Sequence, residues 1–242
     1  MIVNSQRVGP ATGMPTLPSQ GDVLQTIHGS HGDYFPIVFY PNSVKECYIY
    51  TIHAFNASEE SRTPVILLAD ALLSHLHESV ELNKEIKVIE RKELGFGKGK
   101  RHFTGLLSKG GIPSTKDSEY YNEWFNNYKK EIIEIAKKYE FYEYLENKNS
   151  KTLLIAYGFT SRVINPLKEK YSIFRPIRMF PILEEQIKKI SKKYKKIIVI
   201  EMNDGQYASE LKKFLGKKIY SIGILGGKIN LDMINKKLEE IK

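Results

Sequence analysis

The chain has 242 residues, 41% of them hydrophobic and 27% charged, with a formal net charge of +9, so it can bury a real core in one or two domains. Its one cysteine, Cys47, excludes a disulfide framework and a self-contained iron–sulfur cluster, which would need about four thiolates. No charged stretch leads into an apolar one at the front, and the apolar runs 64–69 and 197–200 are far too short for a bilayer, so a cytoplasmic, non-membrane protein is expected.

Ile2 to Asn4 starts as a strand and enters Gln6-Arg7-Val8-Gly9-Pro10-Ala11-Thr12-Gly13-Met14-Pro15-Thr16. Glycines 9 and 13 with prolines 10 and 15 dictate a tight, non-helical loop. Arg7 gives this loop a permanent guanidinium, and Thr12 and Thr16 give it two hydroxyls. A backbone so costly to order, presenting those groups, suits the capture of a small carboxylate or phosphate. The plain alternative is a surface turn whose arginine pairs with a neighbouring acid.

A short helix is expected over about 18–28, and Pro36–Tyr40 reads as an apolar strand. Ser43 is the expected N-cap of a helix reaching about Glu60, with Glu46 completing a capping box. Pro64–Asp70 reads as a buried strand whose terminal acid, Asp70, is a cap rather than a catalytic group. Residues 83–118 are patternless and rich in Gly, Lys and Ser. Gly97-x-Gly99 lacks the leading strand and third glycine of a dinucleotide fingerprint, so a connector is expected. Residues 119–146 read as one amphipathic helix with the stripe Tyr120, Trp124, Tyr128, Ile132, Ile135, which indicates packing rather than ligand stacking. Beyond 151 the pattern alternates. Strands are expected at 152–157, 171–174, 196–201 and 218–222, with helices near 160–169, 183–194, 205–215 and 230–241. That order predicts a parallel sheet with right-handed crossovers.

The first 90 residues carry 5 basic and 10 acidic groups, the remainder 32 and 18. The lysines come in doublets among glutamates on helices, the look of solvated faces rather than of a nucleic-acid site; a patch steering an acidic partner is the alternative. His75 and His77 would face different sides of a helix, and no metal site is expected. His31, in His31-Gly32-Asp33, reads as a turn residue or as part of the loop site. Glu201-Met202-Asn203, at a strand end, is polar enough to face a partner subunit.

The loop, with Gln20-Gly21-Asp22 and His31-Gly32-Asp33 after it, resembles the alpha subunits of the 2-oxoacid:ferredoxin oxidoreductases, most closely their 2-oxoglutarate branch. Ala11 stands where the family form has serine. The resemblance continues through 40–46, 54–56, 63–70, His102-Phe103-Thr104-Gly105-Leu106, 174–177 and Glu201-Met202-Asn203-Asp204-Gly205-Gln206 to Gly226-Gly227-Lys228. It implies an α/β chain. Residues 1–82 would be the second half of a thiamine-pyrimidine-binding domain, 83–150 a connector, and 151–242 a parallel-sheet domain like the transketolase C-terminal domain. The first half of the pyrimidine domain, with the glutamate that meets the cofactor's aminopyrimidine, is expected to be absent, through a split gene or a gene fragment.

By the same resemblance Arg7 holds the carboxylate of a 2-oxoacid and Thr16 donates a hydrogen bond to it; Gly9, Pro10, Thr12, Gly13 and His31 complete the site loop. No catalytic residue is assigned. The implied reaction is oxidative decarboxylation of 2-oxoglutarate to succinyl-coenzyme A and carbon dioxide, with ferredoxin accepting the electrons. Thiamine diphosphate and magnesium would be held mainly by a beta subunit, and an iron–sulfur cluster by a partner chain. Gamma and delta subunits, and a polypeptide supplying the first half-domain, are the further partners implied. A pyruvate or branched-chain substrate, or a non-catalytic assembly subunit, are the alternatives.

Overall fold

A computed structural model describes residues 1–82, 85–90 and 104–241. Gly97-x-Gly99 and His102 lie outside the described residues.

Strand β1 (Ile2–Val8) runs past its expected end at Asn4, and the chain returns directly as β2 (Met14–Pro18), antiparallel to it. The Gly/Pro stretch is therefore the tip of a hairpin. Its return strand escapes a sequence reading because Pro15 and Pro18 remove ladder donors and mimic loop. Only α1 (Gln25–His28) of the expected 18–28 helix forms. Strand β3 (Ile37–Phe39) leads to α2 (Val44–Ser61), where the Glu46 N–H donates to the Ser43 hydroxyl at 3.2 Å. The Glu46 carboxylate accepts the Asn42 N–H at 2.8 Å, one residue further back than a capping box requires. Strand β4 (Val65–Asp70) ends at α3 (Ala71–Ser74), and Asp70 caps it by accepting the Leu73 N–H at 3.0 Å.

A small hairpin, β5 (Ser108–Lys109) and β6 (Ile112–Pro113), precedes α4 (Ser118–Lys137). The helix expected to reach 146 stops there, and β7 (Tyr142–Leu145) follows. Residues 139–145 are dominated by aromatic side chains, which favour a pleated surface over a helix. The remainder is β8 (Thr152–Ile155), α5 (Gly158–Ile164) with a 3-10 extension over Asn165–Glu169, β9 (Ser172–Pro176), β10 (Arg178–Phe180) and α6 (Glu184–Ser191). Then come β11 (Lys196–Glu201), α7 (Gln206–Lys212), β12 (Ile219–Gly223) and α8 (Leu231–Glu240).

The first sheet has the order β10-β3-β4-β1-β2, with β3, β4 and β1 parallel and both edges antiparallel. The second has the order β12-β11-β8-β9-β7, four parallel strands with β7 antiparallel at one edge. Strand β10 thus leaves the second lobe to close the first sheet, and β7 precedes the second lobe yet closes its sheet. The expected α/β class holds, with this exchange of edge strands added.

One core lies between the lobes. Val38, Tyr40 and Leu68 meet Leu153, Ile155, Phe174 and Val199, with Phe180, Leu183 and Ile187 beside them. Each such buried side chain stabilises the fold by roughly 1.5–3 kcal/mol. The other face of the first sheet is covered by α2 and the C-terminal half of α4, through Ala54, Ala57, Ile132 and Ile135. The N-terminal half of the α4 stripe stays at the surface. Trp124 stacks on Tyr128 there, with ring centroids 5.6 Å apart.

Candidate functional site

The hairpin tip is built to project. At Gly13 φ is +48°, and an added Cβ would lie 2.3 Å from the Val8 carbonyl oxygen, so only glycine closes the turn. Gly9, Pro10, Thr12, Thr16 and Arg7 are all exposed. The Arg7 guanidinium donates to the carbonyl oxygen of Thr12, bracing the tip from inside. Arg7 thus bonds its own loop rather than an acid, and the fork keeps N–H groups for an incoming anion. Thr16 stands on the returning strand.

The root of the hairpin is buried. Gln6, one residue before Arg7, is fully buried; its amide donates to the Tyr40 hydroxyl at 3.0 Å and accepts the Asp22 N–H at 2.8 Å. Tyr40 donates to Asp70, which also accepts the Phe159 N–H at 3.0 Å from the second lobe. Gln20 is equally buried. Its side chain donates to the Tyr157 carbonyl at 2.9 Å and accepts from the Thr160 hydroxyl at 3.0 Å and the Met202 N–H at 2.9 Å. Asn203 donates to the Gln20 carbonyl at 2.6 Å, and Gln206 to that of Gly21 at 2.5 Å.

This corrects the expectation for Glu201-Met202-Asn203. All three are buried: Met202 and Asn203 serve the chain's own 19–21 segment and Glu201 accepts from Tyr157, Tyr207 and Ala208, so none forms an exposed partner surface. They sit where β8 and β11 diverge, the switch point at which open α/β sheets usually receive ligands. Here residues 19–21 fill that crevice.

Burial raises the carboxyl pKa of both Asp70 and Glu201. Hydrogen bonds work against that rise, from Phe159, Leu73 and Tyr40 to Asp70, and from Tyr157, Tyr207 and Ala208 to Glu201. Burial likewise pushes the Cys47 thiol up to about 11, which leaves it a poor nucleophile.

His31 stands apart from the tip. It lines a cleft of about 670 Å³ with Ile2, Tyr34, Phe35, Ile66 and Tyr128, near the start of β1, and neither Arg7 nor Thr16 lines that cleft. A second cleft, of about 400 Å³, contains Arg175, whose guanidinium is engaged by Glu46 at 2.6 and 2.9 Å and by Glu143 at 2.8 Å. A sequence reading had no warrant for Gln6, Tyr40 or Gln20. A lone amide or phenol among apolar neighbours carries no periodic signal, and the resemblance spans all three positions without giving any of them a role.

The hairpin over a parallel sheet, joined to a second lobe at its switch point, defines the class. The chain belongs to the family described as pyruvate flavodoxin/ferredoxin oxidoreductase, thiamine diphosphate-binding, whose signature matches residues 1–145. It is 34% identical over 253 residues to the 2-oxoglutarate synthase subunit KorA of Archaeoglobus fulgidus, a match covering 100% of this chain and 70% of that one. It is 31% identical to the ketoisovalerate oxidoreductase subunit VorB of Methanothermobacter marburgensis, again over 100% of this chain and 70% of the relative. Among solved structures it is similar to the 2-oxoglutarate:ferredoxin oxidoreductase of Magnetococcus marinus, solved with 2-oxoglutarate, coenzyme A and succinyl-CoA bound. That match has a TM-score of 0.87 and 25% identity, over 99% of this chain and 48% of the other.

Among the described residues no group of three or more His, Cys, Asp or Glu is placed to hold a metal ion. The buried carboxylates Asp70 and Glu201 are already occupied by backbone N–H groups. Among the described residues no helix is long and apolar enough to cross a membrane.

Proposed function

We propose that this chain is an alpha subunit of a thiamine-dependent 2-oxoacid:ferredoxin oxidoreductase, working in a cytoplasmic complex on 2-oxoglutarate. The products are succinyl-coenzyme A and carbon dioxide, and ferredoxin takes the electrons. The observation that carries this reading is the hairpin, whose exposed Arg7 and Thr16 project from a buried root. Arg7 grips a carboxylate of the substrate with its fork, and Thr16 donates a hydroxyl hydrogen bond to the same molecule. A dianionic acid gains from both. Gly9, Pro10, Thr12 and Gly13 hold those two groups at a fixed separation.

A beta subunit holds most of thiamine diphosphate and its magnesium ion, an iron–sulfur cluster sits on a partner chain, and gamma and delta subunits complete the assembly. A further polypeptide strand seats along the start of β1. Among the described residues β2 pairs only with the Arg7–Val8 end of that strand, and Ile2 and Val3 are 52% and 58% exposed. The reading divides the chain into 1–82, 83–150 and 151–242, and two sheets that exchange the edge strands β7 and β10 support two lobes.

Arg7→Ala in the assembled complex is expected to weaken 2-oxoglutarate binding by about 2–5 kcal/mol, by stranding a desolvated carboxylate. Thr16→Ala has a smaller effect in the same direction. Acceptor-reduction assays over a substrate series measure both, and an unchanged apparent affinity refutes the hairpin's role. A complex indifferent to Thr16→Ala identifies an assembly subunit instead. The likeness to a ketoisovalerate oxidoreductase subunit over the whole chain supports a second reading, a branched-chain 2-oxoacid substrate. Higher kcat/KM on 2-oxoisovalerate than on 2-oxoglutarate decides for it.

A further inference from the structure

The Gly226-Gly227 turn after β12 has no part in the reading above, yet it touches the hairpin. Gly227 is buried at φ +74°, and an added Cβ would lie 2.5 Å from Leu17 Cβ, 3.0 Å from the Pro18 carbonyl oxygen and 3.1 Å from Val8 Cγ2. Those atoms belong to both strands of the hairpin. Gly226 has nearly the same backbone, φ +78°, but is exposed, with nothing within 4 Å of its added Cβ. Four residues beyond the Thr16 position, Gln20 is locked by Thr160, Tyr157 and Met202, all from the second lobe.

We propose that the second lobe is the seat of the substrate hairpin: Gly227 sets how closely the hairpin lies, and Gln20, held by Thr160, fixes its outgoing strand. These are positioning residues acting through Arg7 and Thr16, and the functional consequence rests on the substrate role given to those two. The contact is van der Waals against atoms on or next to the backbone, so a methyl group at 227 displaces the hairpin rather than one flexible side chain. The hydrogen bonds at Gln20 come from the side chain of α5, the backbone before it and the strand end of β11. A shift of either element is therefore passed to residues 19–22 and on to Thr16.

The test compares Gly227→Ala with Gly226→Ala in the assembled complex, since both carry the strain of a positive φ and only one meets the hairpin. Gly227→Ala is expected to speed amide hydrogen exchange across residues 8–17. An ångström-scale displacement should also raise the KM for 2-oxoglutarate roughly tenfold, with the KM for coenzyme A unmoved. Gly226→Ala is expected to change neither. Where Gly227→Ala fails to assemble, Thr160→Val removes one donor to Gln20 and should act in the same direction, with Thr160→Ser restoring the parent behaviour. Equal effects of the two glycine substitutions overturn the seat, as does unaltered exchange across 8–17 in both Gly227→Ala and Thr160→Val. Faster exchange with an unmoved KM keeps the seat and overturns the substrate role of the hairpin.

Discussion

Asp70 shows how a single residue ties the two lobes together through its acceptor capacity, and Glu201 gathers donors in the same way within the second lobe. Each is fully buried, and each meets several donors, including the Phe159 N–H for Asp70 and the Tyr157 hydroxyl, at 2.6 Å, for Glu201. Burial nevertheless leaves both with raised pKa values, so the folded chain keeps these protons to higher pH than the unfolded chain does. The stability linked to that protonation is present in full below the ordinary carboxylate range, about pH 4, and declines as pH rises through the folded values. Urea midpoints measured upward from pH 4 should therefore fall less steeply in Asp70→Asn than in the parent chain. An unchanged slope refutes the raised value. Glu201→Gln is expected to cost about 1–3 kcal/mol at neutral pH, because an amide offers one oxygen where a carboxylate offers two. Asp70 was legible as a strand-end cap from its place after an apolar run. The cross-lobe donor, Phe159, lies 89 positions away and leaves no trace in local sequence.

Elements were legible where a local rule and the tertiary outcome agree. The α2 start follows from Ser43 and Glu46, and Ser43→Ala should cost about 1 kcal/mol by chemical denaturation. Strands β3, β4, β8 and β11 are short apolar runs and formed where such runs predict them. The misses have a common cause. Strands β2, β7 and β10 are edge strands, whose partners are chosen by the sheet rather than by their own pattern. Two prolines disguise β2, and an aromatic stripe continuing from α4 disguises β7. The tight tip of the hairpin was legible from residue types alone, because Gly9, Pro10 and Gly13 exclude a helix there. Its root was not, since Gln6 and Gln20 act through contacts with Tyr40, Thr160 and Met202 that only the fold creates.

At the scale of the whole molecule, the interlobe core and the exchanged strands bind the lobes into one cooperative unit. A core shared by Tyr40, Leu68, Leu153 and Phe174 cannot be assembled by either lobe alone. Thermal unfolding of the chain is expected as one calorimetric transition. Pieces ending and starting at the 150/151 boundary should show no cooperative transition when separate and should recover it on mixing. Two resolved transitions in the intact chain would contradict this.

The passage of β10 into the first sheet also constrains ancestry. A crossover between relatives at the apparent domain border would leave one parent's Arg178–Phe180 strand paired against the other parent's β3. Chimaeras cut there should misassemble, whereas those exchanging 142–145 and 178–180 together with their host sheets should survive. The usable seams for recombination in this lineage are thus drawn by strand ownership and not by the order of residues along the gene.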